Sequence, residues 1–254
     1  MAQIKETASV YNQVMLAAGV FDMWITTEIA ESAKPGQFIS VYSKDGSRLL
    51  PRPISICEVE EGAGRLRIVY RIAGEGTKEF SHLVSGDSIE IMGPLGNGFP
   101  DEGENVLLIG GGIGIPPMLE QAKSLRCKKQ MVLGYRDSDL FLKDEFEAYG
   151  EVFVATEDGS VGTKGNVLDA IREQGLTADV IYACGPTPML RALRSFAAEN
   201  DIRCYISLEE RMACGIGACL ACVCSSKEVD GHSHVKNKRI CKDGPVFLAG
   251  EVDL

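Results

Sequence analysis

The sequence predicts a multidomain β plus α/β protein in three parts: an N-terminal antiparallel β-barrel (residues 1–100), a doubly wound parallel-sheet domain (101–210), and a small C-terminal cysteine module (211–254). Three observations lead there. The first hundred residues are short β-like runs broken by turn chemistry, the next hundred alternate apolar strands with helices, and four cysteines near the end stand at regular ligand spacing.

In the first part, Gln37-Phe38-Ile39-Ser40-Val41-Tyr42 and Arg65-Leu66-Arg67-Ile68-Val69-Tyr70 are typical strand runs. Pro35-Gly36, Asp45-Gly46, Glu61-Gly62-Ala63-Gly64 and Ser85-Gly86-Asp87 supply the turns. Strands at this spacing suit a small antiparallel barrel, with Thr77 to Val84 as a short helix that plugs or flanks it. Two spots carry chemistry. Arg52-Pro53-Ile54-Ser55 sets an arginine fork on a backbone stiffened by prolines, ready for a phosphate, with a hydroxyl three residues on. Gly74-Glu75-Gly76-Thr77 offers glycines and free N–H groups at a helix start, a seat for a pyrophosphate. Either motif alone reads as an ordinary surface turn. Together on one barrel they favour a dinucleotide such as FAD.

From Asn105 the texture changes. Val106-Leu107-Leu108-Ile109 is a continuous apolar run, as a central parallel strand requires. Gly110-Gly111-Gly112-Ile113-Gly114-Ile115-Pro116-Pro117 follows, then an amphipathic helix near Met118 to Leu125. Further strands are expected at Gln130-Gly134, Glu151-Ala155, Val180-Cys184 and Arg203-Ser207, and helices at Leu140-Tyr149, Gly165-Glu173 and Pro188-Glu199. Such a sheet binds nucleotides at the carboxyl ends of its strands. The loop carrying Gly110, Gly112 and Gly114 lets the backbone approach a pyrophosphate, and proline is tolerated in a first helical turn. A second corner, Cys184-Gly185-Pro186, would lie under a nicotinamide, with Cys184 a small buried thiol rather than a nucleophile. Hydride transfer needs no nucleophile, so no catalytic residue is assigned. Glu157-Asp158-Gly159-Ser160 follows another strand. Acidic groups there would bond ribose hydroxyls and repel a 2′-phosphate, favouring NAD over NADP; the alternative is a solvated turn.

Cys214, Cys219 and Cys222 form C-x4-C-x2-C, and Cys241 follows at a distance, which is plant-type [2Fe–2S] spacing. Gly215 and Gly217 permit the backbone angles of a tight loop whose sulfurs turn inward. Zinc is the competitor, although structural zinc sites usually pair two short knuckles and only one is present here. Nucleotide motifs upstream give a cluster something to exchange electrons with, which lowers the zinc reading. Between Cys222 and Cys241, Asp230-Gly231 marks a hairpin turn that would return Cys241 to its partners, with Lys236-Asn237-Lys238-Arg239 as a solvated strand. Cys224 lies two residues past the third ligand and reads as a structural thiol. His232 and His234 are possible Rieske-type ligands, but four cysteines suffice, so both read as exposed turn residues.

Composition bounds the rest. The chain has 254 residues, 45% hydrophobic, with apolar runs far short of the ~20 needed to span a bilayer. A formal charge of -10 argues against nucleic acid and anionic membranes. The N-terminal stretch lacks a signal-peptide layout, and nine cysteines without one read as ligands and reduced thiols, so a soluble cytoplasmic protein is expected.

Taken together, R-P-I-S and G-E-G-T on a barrel, then G-G-G-I-G-I-P-P and C-G-P on a sheet, resemble the ferredoxin reductase superfamily. The run Glu209 to Cys219, with Cys241-Lys242-Asp243-Gly244-Pro245-Val246-Phe247, is similar to the electron-transfer (iron–sulfur flavoprotein) subunits of NAD-linked dihydroorotate dehydrogenase. That resemblance implies that Arg52, Pro53, Ile54 and Ser55 line a flavin, with Val69, Tyr70 and Arg71 at a second FAD contact and Gly76 and Thr77 at a third. It implies that Cys214, Cys219, Cys222 and Cys241 hold the iron. It further implies a catalytic partner carrying FMN, which oxidises dihydroorotate in pyrimidine biosynthesis, and a heterotetramer with two copies of each subunit. Dihydroorotate oxidation is not expected from this chain alone. The alternatives are the flavin–cluster subunit of a ferredoxin-linked transhydrogenase, sulfide dehydrogenase or sulfhydrogenase, which can replace a cluster cysteine by aspartate, and a non-enzymatic redox sensor.

Overall fold

A computed structural model describes residues 3–231 and 234–254. Its first six strands are β1 (Ile4–Ala17), β2 (Val20–Thr26), β3 (Phe38–Tyr42), β4 (Arg52–Glu60), β5 (Arg65–Arg71) and β6 (Ser88–Leu95), with a short helix α1 (Glu75–Phe80) after β5. Apolar residues alternate along them, so one face of each strand turns inward and the sheet closes on itself in the order β1-β2-β5-β4-β3-β6. Met23, Ile25, Ile39, Ile56, Leu66, Ile68 and Ile91 fill the interior, and Phe80 of α1 packs with them.

A seven-stranded sheet follows: β7 (Asn105–Gly111), β8 (Lys128–Tyr135), β9 (Glu151–Thr156), β10 (Thr163–Lys164), β11 (Val180–Cys184) and β12 (Arg203–Ser207), joined at its edge by a strand from the far end of the chain. The helices are α2 (Pro116–Ser124), α3 (Lys143–Phe146), α4 (Val167–Glu173) and α5 (Thr187–Glu199). Successive residues of the central strands face opposite sides. Val106, Leu108, Leu133 and Tyr182 pack on Met118 and Leu119 of α2 and on Phe146 of α3. Leu107, Ile109, Val132 and Ile181 pack on α4 and α5 through Leu168, Ile171, Leu190 and Leu193. The order β10-β9-β8-β7-β11-β12 places the direction switch between β7 and β11.

The remaining segment is sparse in regular structure: β13 (Val223–Ser225), β14 (Asn237–Arg239) and β15 (Val246–Leu248). β13 and β14 pair antiparallel, so the expected hairpin forms, while β15 pairs antiparallel with β12 and closes the edge of the sheet. One expectation is corrected here. Arg239 is no solvated strand residue: it is buried, its guanidinium forks onto Asp243 (Nε–Oδ2 3.0 Å, Nη2–Oδ1 3.1 Å) and its Nη1 donates to the Gly217 carbonyl at 3.3 Å. A charge is tolerated there because its partners are fixed in place.

Barrel and sheet are riveted by charge. Arg67 on β5, only 5% exposed, binds Asp22 on β2 through Nε and Nη2 at 2.9 and 2.8 Å, and also Glu58 on β4 and Glu145 on α3. The carboxylates outweigh the cost of burial and hold the guanidinium's pKa up. Lys123 and Glu120 of α2 reach back to Glu58 and the Val59 backbone. Among the described residues no helix is long and apolar enough to cross a membrane.

Candidate functional site

Three sets of expected site residues fall on connected surfaces. On the barrel, β4 begins at Arg52, whose register partner on β3 is Val41, followed by Pro53 opposite Ser40, Ile54 opposite Ile39 and Ser55 opposite Phe38. The Arg52 guanidinium lies directly over Gly76 in the first turn of α1, where a Cβ would overlap its Nε and Cζ. Two motifs more than twenty residues apart in sequence thus share one wall, and glycine is the residue that permits it. Thr77 closes the turn by accepting from the N–H groups of Ala73 (2.9 Å) and Gly74 (3.2 Å). Arg71 is exposed beside this wall. Val69 and Tyr70 are both buried but on opposite faces of β5, Tyr70 in the barrel interior and Val69 in the core shared with the sheet. Tyr70 stacks on Phe21, meets Phe80 edge-on and donates to Gln13 Oε1 at 2.7 Å.

At the switch point of the sheet, the two glycine corners pack on each other. After β7, Gly112 to Gly114 make one tight turn and α2 starts at Pro116, so the loop, rather than a long helix start, faces the site. A Cβ on Gly114 would collide with the Cys184 carbonyl, and one on Gly110 would lie 2.7 Å from Ile115 Cα. Gly112, with φ of +54°, has open space where its side chain would be, which leaves the corner accessible to a ligand. Gly185 lies against Gly111. Cys184 is fully buried; burial, with some help from the Glu209 carboxylate, pushes its thiol up, against the hydrogen bond from Ser207. It is a neutral, inert thiol. Glu157 and Asp158 sit exposed in the turn after β9, where Asp158 accepts from the Ser160 N–H at 2.9 Å.

The cysteine loop rests on the barrel. Gly215, with φ of +71°, presses its α-carbon onto Ser40, Leu95 and Met92: a Cβ there would be 3.1 Å from Ser40 Oγ and 3.2 Å from Leu95 Cδ1. Ser40 is the register neighbour of Pro53, so one buried residue separates the Arg52–Ser55 strand from the cysteine loop. Its hydroxyl has no hydrogen-bond partner among the described residues. Backbone amides turn toward sulfur throughout: Gly217 N–H to Cys241 Sγ at 3.1 Å, Ala218 N–H to Cys214 Sγ at 3.3 Å, and Cys241 N–H to Cys222 Sγ at 3.4 Å. Cys222 and Cys241 are buried, Cys214 is half-buried and Cys219 is exposed.

Burial works against ionising Cys214, yet the N–H groups of Ile216, Cys219 and Ala218 and the Cys219 thiol bring it down to about 6. Burial and the neighbouring Cys222 push Cys241 up to about 12. The sulfurs fall into two pairs, Cys214 with Cys219 and Cys222 with Cys241. Among the described residues no three His, Cys, Asp or Glu side chains converge as ligands of a single ion. Two thiol pairs ringed by amide donors fit a binuclear centre, whose sulfurs accept such hydrogen bonds. Cys224 stands apart, its Sγ 3.7 Å from the Lys238 carbonyl. His234 is an exposed turn residue, and His232 lies outside the described residues.

Some supporting residues carried no sequence signal. Ser40 looks like any strand serine, and Asn97 like any loop asparagine. Arg239 and Asp243 are four apart outside any helix, so only the folded turn brings them together.

A barrel with Arg52 laid over the helix-start Gly76, a doubly wound sheet and a cysteine loop between them define a ferredoxin-reductase-like oxidoreductase with an iron–sulfur module. The comparisons agree. An oxidoreductase NAD-binding domain matches residues 108–195, and the iron–sulfur cluster binding domain of dihydroorotate dehydrogenase B matches residues 209–253. The chain is 44% identical to the dihydroorotate dehydrogenase B (NAD(+)) electron transfer subunit of Fusobacterium nucleatum, over 98% of either chain, and 44% identical to that of Bacillus caldolyticus, over 98% of this chain and 99% of the other. Among solved structures, it superimposes on the NADH-dependent reduced ferredoxin-NADP oxidoreductase with a TM-score of 0.87 and 33% identity, covering 98% of this chain and 90% of that one. A ferredoxin NADP+ reductase from Neisseria gonorrhoeae, at 18% identity and a TM-score of 0.64 over 78% of this chain and 91% of its own, shares the fold. The chain therefore belongs to the family of electron transfer subunits of NAD-linked dihydroorotate dehydrogenase B. It is an oxidoreductase subunit, one that works with a catalytic partner.

Proposed function

We propose that this chain takes electrons from an FMN-containing, dihydroorotate-oxidising subunit through a [2Fe–2S] cluster and FAD and delivers them to NAD, as a step of pyrimidine biosynthesis. The observation that carries the reading is the seat of the cysteine loop: Gly215 lies against Ser40, one register position from the Arg52–Ser55 strand. The cluster exchanges electrons singly, and FAD accepts them singly and returns them in pairs. Everything else falls to the chain's residues. Cys214, Cys219, Cys222 and Cys241 hold the iron, and the amides of Gly217 and Ala218 stabilise the charged sulfurs. Arg52, Pro53, Ile54 and Ser55, the backbone of Val69, Tyr70 and Arg71, and the turn at Gly76 and Thr77 hold FAD. Gly110, Gly112, Gly114, Cys184, Gly185 and Pro186 hold NAD at the switch point, a reading supported by the open space at Gly112.

The division into a flavin part (1–100), an NAD part (101–210) and a cluster part (211–254) belongs to the same reading. It is supported by the end of the barrel at Leu95 and the start of the sheet at Asn105. Ile216, Leu220 and Val223 expose 43%, 40% and 37% of their surface around the loop, an apolar rim suited to the partner subunit. Two copies of each subunit, in the cytoplasm, complete the assignment. Dihydroorotate-dependent NAD reduction by the co-purified, cofactor-replete complex tests it: absence of that activity overturns it, and the mass of the complex checks the stoichiometry. The ferredoxin-linked oxidoreductase that shares the fold is less similar in sequence than the electron transfer subunits.

A further inference from the structure

We infer that Asn97, on the loop leaving β6, is a positioning residue for the cluster: it splices the segment bearing the fourth cysteine onto the flavin-side barrel and so sets how the two redox parts face each other. The inference rests on the reading of Cys241 as a cluster ligand.

The starting point is an edge problem. β15 is the last strand of the sheet, so the outward N–H and C=O of Val246 have no strand to pair with. Asn97 supplies what a strand would. Its Oδ1 accepts from the Val246 N–H at 3.0 Å, and its Nδ2 donates to the Val246 carbonyl at 2.7 Å. One carboxamide thereby acts as a one-residue strand. The same Nδ2 donates to the Asp243 carbonyl at 3.2 Å, and the Asn97 backbone N–H donates to the Gly244 carbonyl at 2.6 Å. Four hydrogen bonds thus fasten one barrel residue to three positions just beyond Cys241. Its neighbour Gly96 (φ +75°) removes any room for slippage, because a Cβ there would lie 2.5 Å from Pro245 Cδ and 2.8 Å from the Gly244 carbonyl.

From that splice a rigid chain of contacts runs into the cysteine loop. The N–H groups of Lys242 and Asp243 donate to the Arg239 carbonyl at 3.0 and 2.7 Å, making a tight turn with Cys241 inside it. Asp243 holds the Arg239 guanidinium, which donates to the carbonyl of Gly217, and the Gly217 N–H points at Cys241 Sγ. On the barrel side, the loop continues from Leu95, which packs against Gly215 and shares a core with Cys222 and Cys241. Asn97 itself stays partly open to solvent, so truncating it removes the splice without hollowing the core.

The test uses the full complex with its partner and cofactors. Asn97→Ala removes the splice. Asn97→Asp keeps the acceptor for Val246 N–H and loses both donations. Gln37→Ala is the control: it removes the 2.8 Å bond from Gln37 Nε2 to the Gly96 carbonyl, loosening the same loop without touching residues 243–246. Hydrogen exchange at the Val246 amide, iron and sulfide content, and rapid-reaction absorbance after mixing with NADH are read for each. Asn97→Ala should lose Val246 protection and Asn97→Asp should keep it, both should reduce the cluster several-fold more slowly, and NADH should reduce the flavin within about twofold of wild type. Gln37→Ala should match wild type. Equal cluster-reduction rates in Asn97→Ala and wild type, or equal slowing in Gln37→Ala, overturn the inference. A wild-type complex lacking iron and sulfide instead overturns the functional reading on which it stands.

Discussion

The barrel and the cysteine segment solve the folding problem in opposite ways. The barrel carries its own interior, a closed ring of alternating strands filled by Met23, Ile25, Ile39, Leu66 and Ile68. The cysteine segment has three strands of three residues each, and its buried Met212, Cys222, Ile240, Cys241 and Phe247 share a core with Phe38 and Leu95 of the barrel and with α5. One region is specified by hydrophobic periodicity and the other by what it leans on and by the ligands it offers. Damage to the first should therefore appear as lost stability, and damage to the second as lost assembly around an intact fold.

The largest expected effect is in the dependent region. Cys222→Ser should abolish iron and sulfide incorporation and, with it, dihydroorotate-dependent NAD reduction, while NADH still bleaches the flavin. Cys224→Ser should keep its iron, and loss of iron there would exchange the two assignments. In the self-sufficient region, Arg67→Ala strands the carboxylates of Asp22 and Glu145. It should cost about 3–5 kcal/mol in denaturant unfolding, with iron per folded chain unchanged. Gly114→Ala drives a methyl into the Cys184 carbonyl; roughly 1–3 kcal/mol of overpacking should appear as a raised KM for NAD with FAD retained. Ile216→Asp should weaken partner binding about tenfold, about 1.4 kcal/mol, and leave iron content untouched. The smallest effect is in the metal-free chain, where Cys214, held down to about 6, should react with iodoacetamide at neutral pH well before Cys241, pushed up to about 12. Labelling of Cys214 should fade as pH falls through 6, when the thiolate is protonated.

The same contrast governs what could be read from the chain. Strand Val180–Cys184 falls where its apolar run places it, because burial on both faces writes a continuous pattern, and Arg203–Ser207 also lies where expected although Arg203 is exposed. Helix α3 is shorter than the Leu140 to Tyr149 stretch suggested, since the residues before Lys143 fold as turns and Leu142 adopts a positive φ of 66°. The cysteine spacing was legible because ligands must stand at fixed separations. Arg239 was misread as solvated, and Ser40 and Asn97 carried no signal. Their roles depend on residues more than a hundred positions away or on a turn that exists only after folding, and no local period encodes such a meeting.

The pairing of Ser207 with Val246 on adjacent strands has a topological consequence. The chain leaves the sheet at the end of β12 and returns to it next door at β15, so the whole iron-binding stretch is an overgrown hairpin loop, clamped at neck width by the sheet. It has no tether on which to swing. Excising the loop and joining its two ends with a short turn should leave a closed sheet and a working diaphorase core. Conversely, the same neck is a natural graft point at which other one-electron modules could be spliced into reductases of this fold.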